Sequence, residues 1–126
     1  MNIGPSWNEK KILVVEDEPM TYRLIEVMLS KTGVQLYKAS DGLEALKIIQ
    51  NYSDIDLILM DIGLPNMNGY EATRKIKKSN SKIPIIAQTA YVMKDHKQLC
   101  FESGCDDYIS KPYSSDDLKN VISKYF

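Results

Sequence analysis

The stretch Leu57-Ile58-Leu59-Met60-Asp61 decides the fold of this chain, because an uninterrupted apolar run ends on a carboxylate. Such a run is typical of a strand that is buried on both faces of a parallel sheet. The next residues, Ile62-Gly63-Leu64-Pro65-Asn66, cannot continue a strand. Ligands bind at the carboxyl ends of strands in open α/β sheets, and a carboxylate buried there needs a cation or hydrogen-bond donors to compensate its charge.

Apolar runs alternate with helical patterns along the rest of the chain. The predicted strands are residues 12–15, 34–39, 57–60, 83–87 and 107–109. Strands that alternate with helices are joined by crossover connections, which make the sheet parallel and cover both of its faces. The sequence therefore predicts an α/β fold with a single doubly wound five-stranded parallel sheet and five helices on both faces.

Each predicted helix has a start or stop signal. Pro19 suits the first position of helix one, after which Met20, Leu24, Val27 and Met28 fall on one face. Helix two begins with a capping box at Asp41 and Glu44, and helix three is short, over residues 69–78. Helix four runs from about residue 93 to residue 103 and stops at Gly104, and helix five opens at Ser114 or Ser115.

The composition indicates one soluble globular domain. The chain has 126 residues, 44% hydrophobic and 26% charged, with a formal net charge of -1. We expect residues 1–10 to be a lead-in or linker and residues 11–126 to form the domain. The charge balance argues against direct binding of nucleic acid. No apolar stretch approaches the ~20 residues that span a bilayer, and residues 1–10 lack the apolar core of a signal peptide, so we expect a cytoplasmic domain without membrane contact.

The two cysteines and the single histidine are expected to have structural rather than chemical roles. Cys100 and Cys105 do not form a C-x-x-C redox motif or half of a zinc site, so we expect two small, reduced, partly buried residues. His96 is the single histidine, and its polar neighbours indicate a solvated helix face rather than a metal or catalytic site.

The predicted fold gathers polar side chains at the carboxyl edge of the sheet. Clustered carboxylates repel each other and attract a hard divalent cation, and Mg²⁺ fits best because it keeps several waters and tolerates an incoming phosphate. A lysine and a threonine beside it would bind phosphoryl oxygens, and a carboxylate can then act as the nucleophile. The residues that converge are Glu16, Asp17 and Glu18 from strand one, Asp61 from strand three, Thr89 from strand four and Lys111 from strand five.

Taken singly, each of these residues also has a structural explanation. Glu16 and Asp17 could cap a helix, Thr89 could end a strand and Lys111 could be a surface charge. Their joint occurrence, in the correct order on four strands, favours a functional site.

Residues 10–126 resemble the receiver domain of bacterial response regulators, the two-component signalling family. The resemblance rests on four segments, which are residues 12–19 (ILVVEDEP), residues 60–65 (MDIGLP) with Gly69, residues 88–90 (QTA) and residues 107–112 (DYISKP). It implies a flavodoxin-like fold and a domain that is phosphorylated on an aspartate by a histidine kinase or a histidine phosphotransfer protein.

The resemblance also implies roles for the residues of the acidic edge. Asp61 resembles the phosphoacceptor and Asp17 the direct Mg²⁺ ligand. Glu16 would act nearby, through water, and the carbonyl group of Gly63 would complete the protein ligands.

A second group of residues resembles the part of a receiver that senses the phosphate. Thr89 and Lys111 resemble the phosphate-sensing hydroxyl and ammonium groups, and Tyr108 the aromatic switch residue. The N–H groups of Ile62 and Ala90 would face the phosphate, and Lys111-Pro112 resembles the cis peptide bond of the family.

Three positions are expected to tune the site. Gly63 offers no side chain to shield the phosphate, whereas Tyr91, two residues after Thr89, could partly cover it beside Ala90. We predict that Gly63 and Tyr91 set the lifetime of the phosphorylated state.

Residues 90–112 resemble receivers fused to sensor histidine kinases. The resemblance favours a receiver cut from a hybrid kinase over a free-standing receiver, and it allows a homodimer through helix four, strand five and helix five. The domain itself would have self-phosphorylation and self-dephosphorylation chemistry, and its parent chain would be the kinase.

Three other functions compete with a signalling receiver. A Mg²⁺-dependent phosphohydrolase would want a second acid where Gly63 stands. A nucleotide or flavin binder would want glycines where residues 16–19 are acidic. A receiver-like domain that only docks partners would not need the full set of acids, threonine and lysine.

Overall fold

The computed structural model describes residues 6–52, 54–63, 68–80, 82–89 and 94–126, with the side chains of residues 94–97 outside the description. The strands are Lys11–Val15 (β1), Gln35–Ala39 (β2), Leu57–Asp61 (β3), Ile85–Thr89 (β4) and Asp107–Ser110 (β5). The helices are Pro19–Leu29 (α1), Gly42–Asn51 (α2), Gly69–Ser79 (α3), Lys94–Ser103 (α4) and Ser115–Ser123 (α5). None of the helices in these ranges is both long and apolar enough to span a bilayer.

The strands form one parallel sheet in the order β2-β1-β3-β4-β5. This order confirms the predicted doubly wound fold. The register aligns the strand ends, because Val15 pairs with Met60, Asp61 with Gln88 and Thr89 with Ser110. The residues that directly follow each strand therefore share one edge of the sheet.

Strand β4 begins two residues later than the sequence predicts. The sequence predicts a start at residue 83. Pro84, however, lacks the N–H group that a central strand must donate, so the hydrogen-bonded strand begins at Ile85. The strand then extends to Thr89, which places this hydroxyl on the last residue of β4.

Two apolar cores cover the two faces of the sheet. Helices α2, α3 and α4 pack on one face through residues such as Ile49, Ile76 and Cys100. Helices α1 and α5 pack on the other face through residues such as Ile25 and Leu118. The central strands β1, β3 and β4 are buried on both faces, which is why their sequences are almost entirely apolar, whereas the edge strands β2 and β5 also carry polar residues.

Three of the four residues of the apolar stripe predicted on α1 are exposed, and only the fourth, Met28, packs against the core. Met20, Leu24 and Val27 are 79%, 53% and 55% exposed, and the buried face of α1 is formed by Ile25 and Leu29. A helix with apolar residues on two faces leaves one of them to solvent when only one sheet is available to cover it.

Trp7 belongs to the core on the α1–α5 face. Its side chain is 7% exposed, and its ring meets the Phe126 ring edge-on with centroids 5.2 Å apart. The Trp7 N–H group donates to the Thr32 carbonyl at 2.7 Å. The part of the expected lead-in that is described, residues 6–10, is therefore packed on the domain through contacts with the turn after α1 and with the C-terminal Phe126.

Candidate functional site

Three carboxylates meet at the carboxyl edge of the sheet. Strand β1 delivers Glu16 and Asp17, and strand β3 delivers Asp61 as its last residue. One carboxylate oxygen of each lies within 4.8 Å of the others. Glu16 is buried, Asp61 is partly buried and Asp17 is exposed, so the group opens toward solvent on the Asp17 side.

The carboxylate of Asp61 is oriented by the turn that follows β3. The Gly63 N–H group donates to Asp61 Oδ1 at 3.0 Å. The Ile62 N–H group instead donates to the Gln88 carbonyl at 3.1 Å. The expectation that the Ile62 N–H group faces the phosphate is therefore wrong, because this group extends the hydrogen-bond ladder between β3 and β4.

Gly69 allows α3 to begin directly against the end of β3. A Cβ atom at this position would lie 2.4 Å from the Asp61 carbonyl oxygen and 2.8 Å from the Ile62 Cα atom. Any side chain at position 69 would push α3 away from the site, and this explains why the sequence requires glycine there.

Lys111 brings a cation to the acidic edge. Its N–H group donates to the Thr89 carbonyl at 2.7 Å, and the Lys111-Pro112 peptide bond is cis, as the resemblance implied. Its ammonium nitrogen lies 3.3 Å from Glu16 Oε1 and 3.8 Å from Asp61 Oδ2. One lysine therefore neutralises part of the charge of both carboxylates.

Glu16 has an unusual protonation equilibrium in this setting. Burial raises the pKa of Glu16 to about 7, and the charge of Asp61 acts in the same direction, while Lys111 opposes both. A cation bound between the carboxylates would stabilise the ionised form of Glu16 and lower its pKa again.

The predicted sensing residues lie on β4 and β5. Thr89 is buried at the end of β4 beside the Lys111 backbone. Tyr108 is half-buried on the face covered by α4, where its ring meets the Phe101 ring edge-on at 6.1 Å. Ala90 and Tyr91 lie outside the described residues, as does the side chain of His96.

Tyr113 and Gln88 lie beside the site, and the sequence analysis assigned no role to either side chain. The Tyr113 hydroxyl donates to Gln88 Oε1. Burial raises the pKa of Tyr113, and the charges of Glu16 and Asp61 add to this effect. A signal existed for Gln88 alone, because Gln88 pairs with Asp61 in adjacent parallel strands and paired residues place their side chains on the same face of the sheet.

A groove opens between α1 and the loop after β5. It has a volume of about 200 Å³ and is lined by residues of both elements, among them Leu24, Met28, Lys111 and Tyr113. The exposed stripe of α1 continues from this groove through Met20, Leu24 and Val27. An apolar surface thus borders the acidic edge at Lys111.

The side chains present fit a divalent cation. Oxygen donors from Glu16, Asp17 and Asp61 lie close enough to share one ion, and hard cations such as Mg²⁺ prefer this donor type. Burial and the nearby charge of Asp61 raise the pKa of Glu16 against the opposing effect of Lys111, so a further cation at this edge would favour the ionised carboxylate.

The strand order and the acidic edge define a receiver-type α/β domain. Residues 12–123 match the family described as "Response regulator receiver domain", and the chain belongs to this family. It is a receiver domain of two-component systems, similar to the receiver modules of hybrid kinases.

The relatives include sensor kinases much longer than this chain. The sensor histidine kinase RcsC of Escherichia coli is 37% identical over 118 residues, which cover 94% of this chain and 12% of the kinase. The hybrid signal transduction histidine kinase G of Dictyostelium discoideum is 42% identical over 125 residues, which cover 95% of this chain and 4% of that protein. The chain thus spans a small part of these relatives.

A solved receiver domain shares the fold throughout. The receiver domain of sensor histidine kinase PA1611 from Pseudomonas aeruginosa is 34% identical, with a TM-score of 0.85 over 92% of this chain and 96% of that one. That structure is described with a magnesium ion coordinated in the active site cleft.

Proposed function

We propose that this receiver accepts a phosphoryl group from a phosphohistidine onto Asp61 in a Mg²⁺-dependent reaction. The observation that carries the proposal is the meeting of three carboxylates with the Lys111 ammonium group, which lies within 4 Å of Glu16 and Asp61. Phosphoryl transfer needs positioning and charge neutralisation more than covalent chemistry, and this edge is suited to both.

Asp61 is the nucleophile in this proposal. One carboxylate oxygen attacks the phosphorus atom, the bond from phosphorus to the histidine nitrogen breaks, and the nitrogen keeps the electron pair. Lys111 exchanges its contact with Glu16 for a phosphoryl oxygen, and the Thr89 hydroxyl donates to another. The Gly63 N–H group already donates to Asp61 Oδ1 and holds the carboxylate in place.

A bound Mg²⁺ ion would neutralise the charge that develops on the phosphoryl oxygens. We assign its direct side-chain ligands to Asp17 and Asp61, with Glu16 acting through water and the Gly63 carbonyl group as the backbone ligand. The magnesium ion described in the active site cleft of the PA1611 receiver supports the choice of Mg²⁺ as the cation.

The partner is a histidine kinase or a histidine phosphotransfer protein that docks on the exposed stripe of α1. Two features favour this surface: it is apolar and exposed, and it continues into the groove that Lys111 lines. We further propose that the chain is the receiver of a hybrid kinase. Phosphorylation would act through Thr89 and Tyr108 on the surface formed by α4, β5 and α5. A homodimer would use this same surface.

Incubation with acetyl phosphate and Mg²⁺, followed by intact mass, tests the proposal directly. We expect one phosphate adduct on the wild-type chain, no adduct on Asp61→Asn and an unchanged adduct on Asp116→Asn, which alters an exposed acid on α5. An adduct that persists in Asp61→Asn would overturn the assignment. The absence of any adduct with every donor and metal would favour a domain that only docks partners.

A further inference from the structure

The end of α4 holds two thiols together through the backbone. Gly104 has a φ of +108°, and its N–H group donates to the Phe101 carbonyl at 3.1 Å. The Cys105 N–H group donates to the Cys100 carbonyl at 3.0 Å. These two bonds define a Schellman helix ending. In this motif the side chains of the two residues joined by the outer hydrogen bond, here Cys100 and Cys105, commonly pack together. Both of those side chains are thiols here.

The two thiols are buried between α3 and α4. Cys100 is 0% exposed and Cys105 is 5% exposed, and neither is in a disulfide. The Cys105 thiol donates to Thr73 Oγ1 at 3.9 Å, and its sulfur also lies 3.8 Å from Ser103 Oγ, a contact in which either atom can be the donor. The Ser103 hydroxyl also donates to the Cys100 carbonyl at 2.7 Å, so this one side chain contacts both cysteine residues.

The surroundings shift the pKa values of the two thiols in opposite directions. A hydrogen bond with the Cys100 thiol lowers the pKa of Cys105 to about 7, and the hydroxyl groups of Ser103 and Thr73 act in the same direction against burial. The same hydrogen bond and burial raise the pKa of Cys100. The surroundings therefore make Cys105 the more acidic of the two thiols, and the more acidic thiol of a pair is the one that forms the nucleophilic thiolate more readily.

We propose that Cys100 and Cys105 are a redox-active dithiol that hydrogen peroxide converts to an intramolecular disulfide at the junction of α4 and β5. The Cys105 thiolate attacks one peroxide oxygen, the O–O bond breaks and hydroxide leaves, which produces a sulfenic acid. The Cys100 sulfur then attacks the Cys105 sulfur and loses its proton, and the sulfenic oxygen leaves as water. Two thiols and one peroxide thus become one disulfide and two waters.

The location of the dithiol connects it to the α4–β5 surface. Phe101 is adjacent to Cys100 and contacts Tyr108, so a cross-link at the end of α4 constrains this ring pair. Because both sulfurs are buried, peroxide reaches them when the last turn of α4 opens, and the reaction is slower than that of an exposed thiol. The proposal is independent of phosphoryl transfer at Asp61, because its readout is the state of the thiols.

The test starts from the reduced wild-type chain. After treatment with hydrogen peroxide, the protein is unfolded, alkylated with N-ethylmaleimide and weighed. We expect the loss of two hydrogen atoms and no alkylation, with both thiols restored by dithiothreitol, and a peptide map that joins Cys100 to Cys105. Two alkylated thiols after peroxide, added oxygen atoms without a cross-link, or a disulfide between two chains would each overturn the proposal.

Two kinds of variant test the assigned roles. In Cys100→Ala, Cys105 has no resolving partner, so we expect it to gain oxygen atoms instead of forming an internal disulfide. Thr73→Val keeps the shape of the side chain and removes a hydroxyl group beside Cys105, so we expect disulfide formation to slow several-fold while the unfolding midpoint is checked in parallel. An unchanged rate in a folded Thr73→Val protein would contradict Cys105 as the attacking sulfur.

Discussion

Lys111 and Glu16 form an ion pair of 3.3 Å although 95 residues separate them in the chain. Glu16 is 2% exposed, and the same lysine lies 3.8 Å from Asp61 Oδ2. Lys111 thus joins two carboxylates that repel each other. If a cation or a phosphate bound at this edge, the Lys111 ammonium group would exchange a carboxylate for another contact.

Removal of the Lys111 ammonium group should impair phosphorylation. We expect Lys111→Ala to form the Asp61 adduct from acetyl phosphate about tenfold more slowly, because one fixed positive charge is lost where negative charge develops. Intact mass over time measures the rate. Lys78→Ala, which removes an exposed charge on α3, is the control, and an equal rate in both variants would remove Lys111 from the proposed machinery.

The raised pKa of Glu16 predicts a pH-dependent stability without divalent cations. Its pKa rises from 4.5 to about 7 in the folded chain, so the folded state binds a proton that the unfolded state releases in this range. Stability from this group is full below pH 4.5 and is lost as pH rises through about 7. The full effect is about 3 kcal/mol.

Denaturant unfolding in EDTA at about pH 5 and about pH 8 measures this difference. Glu16→Gln removes the titrating group and should flatten the pH dependence relative to wild type, and Mg²⁺ should stabilise the wild-type chain at the higher pH. Parallel pH profiles for the two proteins would show that Glu16 is not responsible.

A side chain at position 63 should change the lifetime of the phosphorylated state. A Cβ atom at Gly63 would lie 3.9 Å from Asp61 Oδ1, an ordinary contact, so asparagine can be introduced without strain. We expect Gly63→Asn to alter the half-life of the adduct several-fold, because its amide group would reach the water that attacks the phosphate. The decay of the adduct after donor removal measures this effect, with Tyr91→Ala as the second variant, and unchanged decay in both would refute it.

The exposed stripe of α1 should matter for a protein donor and not for a small one. We expect Leu24→Ser to slow transfer from a phosphorylated histidine phosphotransfer domain about tenfold, because an apolar anchor at the centre of an interface is lost. The rate with acetyl phosphate should stay unchanged. Leu43→Ser is the matched control, since Leu43 is 50% exposed and lies on α2, on the opposite face of the sheet. Equal slowing by both variants would place docking elsewhere.

Trp7 should stabilise the domain. We expect Trp7→Ala to reduce the free energy of unfolding by about 3 kcal/mol, because a large buried ring is removed from its contact with Phe126. Denaturant unfolding followed by circular dichroism measures the change. Leu43→Ala, an exposed position, should cost less than about 0.5 kcal/mol. A Trp7→Ala midpoint equal to that of wild type would assign Trp7 to a linker.

The sequence predicted the sheet well because its signals are local. An apolar run of strand length and an acid directly after it are visible in residues 57–61, and the alternation with helices dictates parallel strands. The sequence places the start of β4 two residues too early. Ile83 is apolar enough for a strand, but Pro84 has no N–H group for the hydrogen bonds of the sheet.

Local patterns could not decide which face of α1 is buried. Met20, Leu24 and Val27 have the spacing of a core stripe, yet Ile25 and Leu29 face the sheet. The rotation of a helix about its axis depends on the complementarity of its side chains with residues far away in the chain, and the spacing of apolar residues does not contain that information.

The sequence by itself determined the parallel α/β fold and the arrival of acids, a threonine and a lysine at strand ends, because strand direction and strand ends follow from local periodicity. The tertiary structure alone decided that Lys111 pairs with Glu16, that Trp7 is buried and that Cys100 meets Cys105 among hydroxyl groups. These relations depend on distances and on burial between elements, and only the packed chain defines them.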